Sequence, residues 1–243
     1  MSWEIALILA GALAGGFVNG LTGFGTALTA MPFWLGAVHP IVAAQLAAAA
    51  SVAGQLLTLP EIWPRIRWAV IAPYVLPGLA GVPIGALLLP LIDVQLFKLG
   101  TGCLLVAYCA FQLINRDRLR VSAAGRGFDA AIGFVSGILG GLAGLSGVLP
   151  TIWASLRGLA KEDKRLLFQT FNLTILSAML CATAARGLMS WEFARALLIC
   201  LPATIIGARF GHWLYSRIDT RGFDRLVLSV LLLSGISLVW GNA

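Results

Sequence analysis

Uncharged polar side chains that could bind an anion occur within and just behind two glycine-rich stretches of the chain. Hydroxyl and amide groups donate directional hydrogen bonds to a compact oxyanion without the strong hold of a full counter-charge. The candidates from the first stretch and the span behind it are Asn19, Thr22, Thr26 and Gln45. Those from the second are Ser136, Ser146, Gln169 and Asn172. These residue types favour binding of a small anion.

Glycines interrupt both stretches at places where a helix would otherwise continue. The first stretch reads GFVNGLTGFGTALTAMP over residues 16–32, and the second contains GLAGLSG just before Pro150. A helix that restarts after such a break presents unpaired N–H groups and the positive end of its dipole, which together attract anions. The glycines assigned to this site are Gly23, Gly25, Gly141 and Gly144. Close helix packing through G-x-x-x-G pairs is the competing explanation for any single glycine.

Two further polar residues lie near the end of a predicted span. Arg209 and His212 are three residues apart and therefore share a helical face. A cation within a span is a functional candidate, although Arg209 can instead extend its head group to the membrane surface. No acidic residue lies in the middle of a span to relay protons, because Glu61 is beside a basic loop and Asp129 is at a hairpin edge.

The sequence does not assemble a catalytic or metal site. An intramembrane enzyme needs a nucleophile with a base, a carboxylate pair or a metal cluster. The chain has two histidines, and its four cysteines lie in apolar runs without a C-x-x-C pair. We therefore predict no enzyme activity, no metal and no cofactor.

The composition requires a membrane around the elements that position these residues. Hydrophobic residues make up 59% of the chain and charged residues 11%, and the mean hydropathy is +0.92. Two apolar runs, 3–36 and 128–156, are too long for one ordinary span and are predicted to be broken or re-entrant hairpins. Single spans are predicted at 41–59, 68–90, 95–114, 166–185, 193–214 and 226–241. The eight tryptophans fall near segment ends, as in an interfacial belt, and we expect an all-α polytopic membrane protein.

The second half of the chain repeats the first in the same order. GFVNG at 16–20 returns as GFVSG at 133–137, and paired glycines and an ID dipeptide recur further along each half. Gln45 and Gln169 occupy equivalent places, so inverted copies would bring both to one site at the membrane midplane. The predicted division is a first repeat over 1–114, a linker over 115–127 and a second repeat over 128–243, all within one membrane domain. Each repeat contains a glycine-rich hairpin and three transmembrane helices.

Basic residues predict the orientation of the two repeats. The linker carries four arginines and one aspartate, so it is expected in the cytoplasm. The other basic residues placed there are Arg65, Arg67, Arg157, Lys161, Lys164, Arg165, Arg217, Arg221 and Arg225. With a hairpin and three crossings in each half, the copies must be inverted, and both termini are expected in the periplasm. These loops explain the net charge of +7, so no nucleic-acid partner is indicated.

These features resemble the sulfite exporter TauE/SafE family, also known as the toluene sulfonate uptake permease family. The resemblance rests on the length, the two related halves and the GFVNGLTGFG and GFVSGILGGLAG openings, and it covers nearly the whole chain. It implies transport of sulfite, sulfoacetate or another organosulfonate across a bacterial inner membrane. The substrate does not follow from the fold, because similar family members are assigned to different anions.

The leading hypothesis is a secondary transporter that exposes a midplane site for a small sulfur-containing anion to each side in turn. Its expected partners are the anion and the lipid bilayer, with a coupling proton or other ion and the oligomeric state left open. A transporter of a different small anion is one alternative. A structural or assembly subunit is another, which would explain packing glycines but not their matched interruptions.

Overall fold

The computed structural model describes residues 2–91 and 125–219, together with scattered positions within 93–110 and 222–236. The described residues form helices, turns and loops, without a strand among them. The predicted spans 95–114 and 226–241 and most of the linker 115–127 lie outside the continuously described ranges.

Helices of very different length make up each described half. The first half contains α1 (Ser2–Thr22), α2 (Thr26–Trp34), α3 (Pro40–Leu56), α4 (Leu59–Ile62) and α5 (Trp68–Leu88). The second contains α6 (Arg126–Ala143), α7 (Val148–Leu156), α8 (Lys161–Ala185) and α9 (Trp191–Tyr215). Helices α1, α5, α8 and α9 are long and apolar enough to cross a membrane, and α3 with the turns after it forms a further candidate span bent by 59°. The part of the chain that the structure describes is therefore all-helical, as expected of a multi-pass membrane protein.

Both long apolar runs are broken, and the two legs of each hairpin are unequal. Helix α1 has 21 residues and is followed after a three-residue break by α2, which has nine. Helix α6 has 18 residues and is followed after a four-residue break by α7, which also has nine. At about 1.5 Å per residue, α1 covers a bilayer core whereas α2 and α7 cover less than half of it.

A tryptophan near the end of each short helix anchors it to the longer helix of its hairpin. The indole of Trp34 donates to the carbonyl of Ile8 at 3.0 Å. That of Trp153 donates to Asp129 at 2.8 Å, and the same carboxylate is paired with Arg157 at 3.1 Å. Trp34 is fully buried and Trp153 nearly so, so the prediction of an interfacial belt is wrong for these two tryptophans.

Helix α8 begins five residues before the predicted span 166–185. Lys164 and Arg165 were predicted in a loop, but they lie in the helix and are each only 5% exposed. The acidic residues Glu162 and Asp163 in the first turn favour this earlier start, because they complement the positive end of the helix dipole.

Glycines allow close backbone contact between α1 and α9. Gly16 lies against the backbone of Thr204. One turn later in both helices, Gly20 lies against Ala208, and a Cβ there would overlap the Ala208 carbonyl. The residue numbers rise together, so α1 and α9 run in the same direction.

Helices α6 and α5 pack in the same way, and these also run in the same direction. Gly133 lies against the backbone of Tyr74. One turn later, Gly137 lies against Gly78. The long helix of each hairpin thus packs on the last continuously described helix of the opposite half, α1 on α9 and α6 on α5. Close helix packing therefore explains these glycines.

Polar contacts distinguish the two ends of the bundle. At one end, Arg67 pairs with Asp163 at 2.6 Å and Glu61 pairs with His212 at 3.1 Å. At the other, the backbone N–H of His39 donates to Glu192 at 3.4 Å. We call the first the basic end, because the described loops predicted in the cytoplasm meet there.

Candidate functional site

Three glycines at the breaks have backbone conformations that disfavour any other residue. The φ angles are +80° at Gly23, +89° at Gly25 and +70° at Gly144. A residue with a Cβ in this left-handed region costs about 1–2 kcal/mol. The sequence ends α1 and α6 here because glycine adopts these angles without strain.

A single amide near the middle of α8 contacts both breaks. The Nδ2 group of Asn172 donates to the carbonyl of Gly23 at 3.2 Å, and its Oδ1 accepts from the hydroxyl of Ser146. Gln55 at the end of α3 donates a second hydrogen bond to Gly23, at 3.3 Å. Gly147 in the second break also lies against Phe24 in the first break.

A small, partly open cavity lies between the two breaks. Its walls come from both hairpins, α3 and α8, and include Gly25, Thr26, Ser51, Gly144, Gly147 and Asn172. The space has room for about one water molecule. None of its lining residues carries a charge.

The amino ends of two short helices face this cavity. Helix α2 begins at Thr26 after Gly25, and α7 begins at Val148 after Gly147, and all four residues line the cavity. Both N-cap residues are glycines, so neither helix has a side-chain cap from its own N-cap residue. Their first N–H groups have no intrahelical acceptor, and the two dipoles place partial positive charge at the same point.

The hydroxyl of Thr26 adds a side-chain donor to this wall. Thr26 is 1% exposed, and its Oγ1 has no hydrogen-bond partner among the described residues. A buried polar group without a partner costs about 1–3 kcal/mol. A bound anion at the helix ends would supply the missing acceptor.

Sequence reasoning missed Ser51 and Gln55, which support the first break from α3. Asn19 donates to the carbonyl of Ser51 at 2.9 Å, and Gln55 donates to Ser51 Oγ at 3.1 Å and to Asn19 Oδ1 at 3.4 Å. Ser51 and Gln55 are four residues apart, so their shared face could have been predicted from spacing.

Gln45 and Gln169 are buried but do not line the cavity. Gln45 donates to the carbonyl of Leu188, which follows α8, at 3.1 Å. Gln169 donates to the hydroxyl of Thr58, which follows α3. The two glutamines therefore occupy equivalent places, each joining a long helix of one half to the loop after the matching helix of the other.

The remaining predicted residues lie outside the cavity wall. The hydroxyl of Thr22 bonds to the carbonyl of Val18 at 2.9 Å, and Ser136 bonds within its own helix to Ile132 at 2.5 Å. Gly141 packs on α5, where a Cβ would overlap the backbone. Arg209 is exposed on α9, so its guanidinium does not contribute to the buried cluster.

Arg165 is a buried cation close to the first break that sequence reasoning placed in a loop. Its NH2 group donates to the carbonyl of Gly20 at 2.9 Å and lies 2.8 Å from Nδ1 of His212. A hydropathy pattern alone does not identify such a residue, because it assigns an arginine to a loop even where hydrogen-bond partners allow the arginine to be buried in a helix. Within the described residues no group of acidic, histidine or cysteine side chains could hold a metal.

Comparison with known families identifies one match over nearly the whole chain. The model of the sulfite exporter TauE/SafE family matches residues 7–238, which include both breaks and the cavity. No curated protein and no solved structure matches the chain significantly.

Proposed function

The chain belongs to the sulfite exporter TauE/SafE family, and we propose that it carries a small sulfur-containing anion across a bacterial inner membrane by alternating access. Sulfite, sulfoacetate and other organosulfonates are the expected substrates. The observation that carries the proposal is the cavity between two helix breaks, toward which two uncapped helix ends point. Irregular backbone within a membrane is expected only where protein or a cavity satisfies it.

The anion would be held by neutral donors. The N–H groups at the starts of α2 and α7 and the hydroxyl of Thr26 converge on one small space, and the amide of Asn172 borders it. Each hydrogen bond to a charged partner contributes on the order of 1.5–3 kcal/mol. A few such bonds give selective but reversible binding, which transport requires because the substrate must also leave.

The small size of the cavity supports a closed arrangement from which transport would proceed by movement of the hairpins. An organosulfonate needs more room than one water molecule, so α2 and α7 must separate to admit it. Both short helices follow a glycine break, and such positions can absorb the backbone rotation of a gate.

An inverted arrangement of two repeats, 1–114 and 128–243, is part of the proposal. It is supported by the reciprocal packing of α1 on α9 and of α6 on α5. The directions of two helices also support it. Helix α9 ends at the basic end, where Glu61 contacts His212. Helix α5 begins at that end, next to Arg67. Since α1 is parallel to α9 and α6 to α5, the two hairpins would enter from opposite sides. We propose that the basic end faces the cytoplasm and that both termini are periplasmic.

Uptake of labelled anions into liposomes that contain the purified protein tests this function. We expect uptake of sulfite or sulfoacetate above that of empty liposomes. Thr26→Val removes only the unpartnered hydroxyl, so it should lower anion affinity by roughly tenfold or more without loss of stability. Thr174→Val is the matched control, because that hydroxyl bonds to Thr170 within its own helix, and it should behave as wild type.

Three results would count against the proposal. Folded protein that moves no anion of a broad panel would favour a structural or assembly subunit. Uptake restricted to anions without sulfur would favour the alternative substrate class. Equal affinity in Thr26→Val and wild type would remove Thr26 from the site.

A further inference from the structure

A chain of three polar side chains runs from the first break to the water at the basic end. The guanidinium of Arg165 donates to Gly20 in α1 at 2.9 Å, contacts His212 in α9 at 2.8 Å and lies 3.7 Å above the ring of Tyr215. On its other side, His212 Nε2 lies 3.1 Å from a carboxylate oxygen of Glu61. Arg165 is buried, while the side chains of His212 and Glu61 are 29% and 63% exposed.

These contacts define which nitrogen of His212 carries a proton. A guanidinium has only donors, so Nδ1 of His212 must accept the hydrogen bond from Arg165. The single ring proton is then on Nε2 and points to Glu61. His212 is therefore neutral in the described arrangement.

A second proton on His212 would be incompatible with the Arg165 contact. It would occupy Nδ1, where it would face another donor and a second positive charge at 2.8 Å. The imidazolium would keep its attraction to Glu61, which is the partner on the water side. Protonation thus replaces a link to the buried arginine by a stronger link to the exposed carboxylate.

Arg165 connects this exchange to the first hairpin. Gly20 is three residues before Gly23, and the carbonyl of Arg165 itself faces Gly23, 3.5 Å from the place of a Cβ. Loss of the contact with His212 therefore removes one of the three contacts named above that fix this side chain, which holds α1 to α8 next to the break.

Other charged groups lie near the three side chains Arg165, His212 and Glu61. Glu162 lies in the first turn of α8, and Arg65 lies in the turn after α4. Lys164 adjoins Arg165, and Arg209 lies one turn before His212 on the exposed face of α9. The described residues of α1 after Glu4 and all those of α3 contribute no titratable side chain.

We propose that His212 is a proton-binding site through which the pH on the basic side controls anion transport. A proton taken from the water at the basic end breaks the Arg165–His212 contact and weakens the hold on the first hairpin, and return of the proton to the same water restores the contact. The ligand is the proton itself, and no other reactant is consumed. This inference rests on the proposed transport function.

The protonation state can be measured without any transport assay. The chain has two histidines, so His39→Gln leaves one imidazole, which can be labelled with ¹⁵N and observed by NMR in lipid nanodiscs. We expect a neutral ring with its proton on Nε2, and added acid should convert this form to the imidazolium. Adding Arg165→Gln should mix the two neutral forms. A neutral ring with its proton on Nδ1, or no change on adding Arg165→Gln, would overturn the proposal.

Transport of sulfoacetate into liposomes tests this control by pH. In wild type, lowering the pH on the basic side should change uptake by roughly tenfold, whereas His212→Gln should retain anion exchange and lose this response. Arg67→Gln is the control, since it breaks an exposed ion pair at the same end and should respond as wild type.

The outcomes separate this proposal from the function on which it rests. A wild-type protein that exchanges no anion contradicts both. Exchange in wild type without a pH response, or a normal response in His212→Gln, contradicts the control by pH alone.

Discussion

Asn172 donates a hydrogen bond to the carbonyl oxygen of Gly23, 3.2 Å away, and so joins the long helix of the second half to the break of the first hairpin. The same amide accepts a hydrogen bond from Ser146 in the break of the second hairpin. A movement of either hairpin must therefore break or carry along a bond to α8. Asn172 therefore links the two breaks through hydrogen bonds.

The bond between Ser146 and Asn172 should appear as an energetic coupling. Each single alanine variant leaves a buried polar group without its partner, at about 1–3 kcal/mol, whereas the double variant removes both partners. We expect an interaction of about 0.5–3 kcal/mol in a double-mutant cycle measured by unfolding in detergent. Thr183→Val combined with Asn172→Ala is the control pair, because Thr183 bonds within its own helix. Strict additivity for Ser146 and Asn172 would contradict this coupling.

Alanine at the glycine breaks should impair binding through backbone conformation. At Gly23 and Gly144 the nearest atoms to an added Cβ are 3.4 and 3.6 Å away, so the methyl group fits but the positive φ is strained. Gly187→Ala is the matched control, with a φ of +67° and open space around it. All three variants should lose about 1–2 kcal/mol of stability. Only Gly23→Ala and Gly144→Ala should also lower sulfite affinity, and equal affinity in all three would exclude a role of the breaks in binding.

The sequence predicted the breaks because their signal is local. Glycine and proline act on the backbone where they stand, so two interrupted apolar runs were sufficient to predict two broken hairpins. The G-x-x-x-G pairs also had a local signature, although the sequence did not distinguish packing glycines from site glycines. That distinction depends on the φ angle and on the neighbouring helix, as the contrast between Gly144 and Gly141 shows.

Side-chain partners were harder to predict, since they depend on how far each side chain reaches across a helix contact. Gln169 and Asn172 are three residues apart on α8, yet only Asn172 lines the cavity, while Gln169 reaches Thr58. Arg165 was assigned to a loop by its charge, although contacts with Gly20 and His212 allow it to be buried. No periodic pattern encodes such pairings.

Alanine at a packing glycine should destabilise the fold without strain of the backbone. A Cβ at Gly137 would overlap the carbonyl of Gly78 on α5, and the two helices would have to separate. We expect a loss of about 1–3 kcal/mol in the free energy of unfolding. Gly127→Ala in the same helix faces open space and should be neutral or stabilising by about 0.5–1 kcal/mol. Equal stability of the two variants would show that α5 and α6 can repack around a methyl group.

Opposite exposure of two described positions would test the inverted topology directly. Trp3 is 71% exposed at the start of α1, and Ala160 is exposed at the basic end just before α8. Because α1 runs parallel to α9 and ends at the basic end, these two positions should face opposite sides of the membrane. With the four native cysteines replaced, Trp3→Cys should react with an impermeant maleimide in intact cells, and Ala160→Cys should react only after permeabilisation. Labelling of Ala160→Cys alone would reverse the orientation, and labelling of both in intact cells would contradict a full crossing by α1 and with it the inversion of the two hairpins.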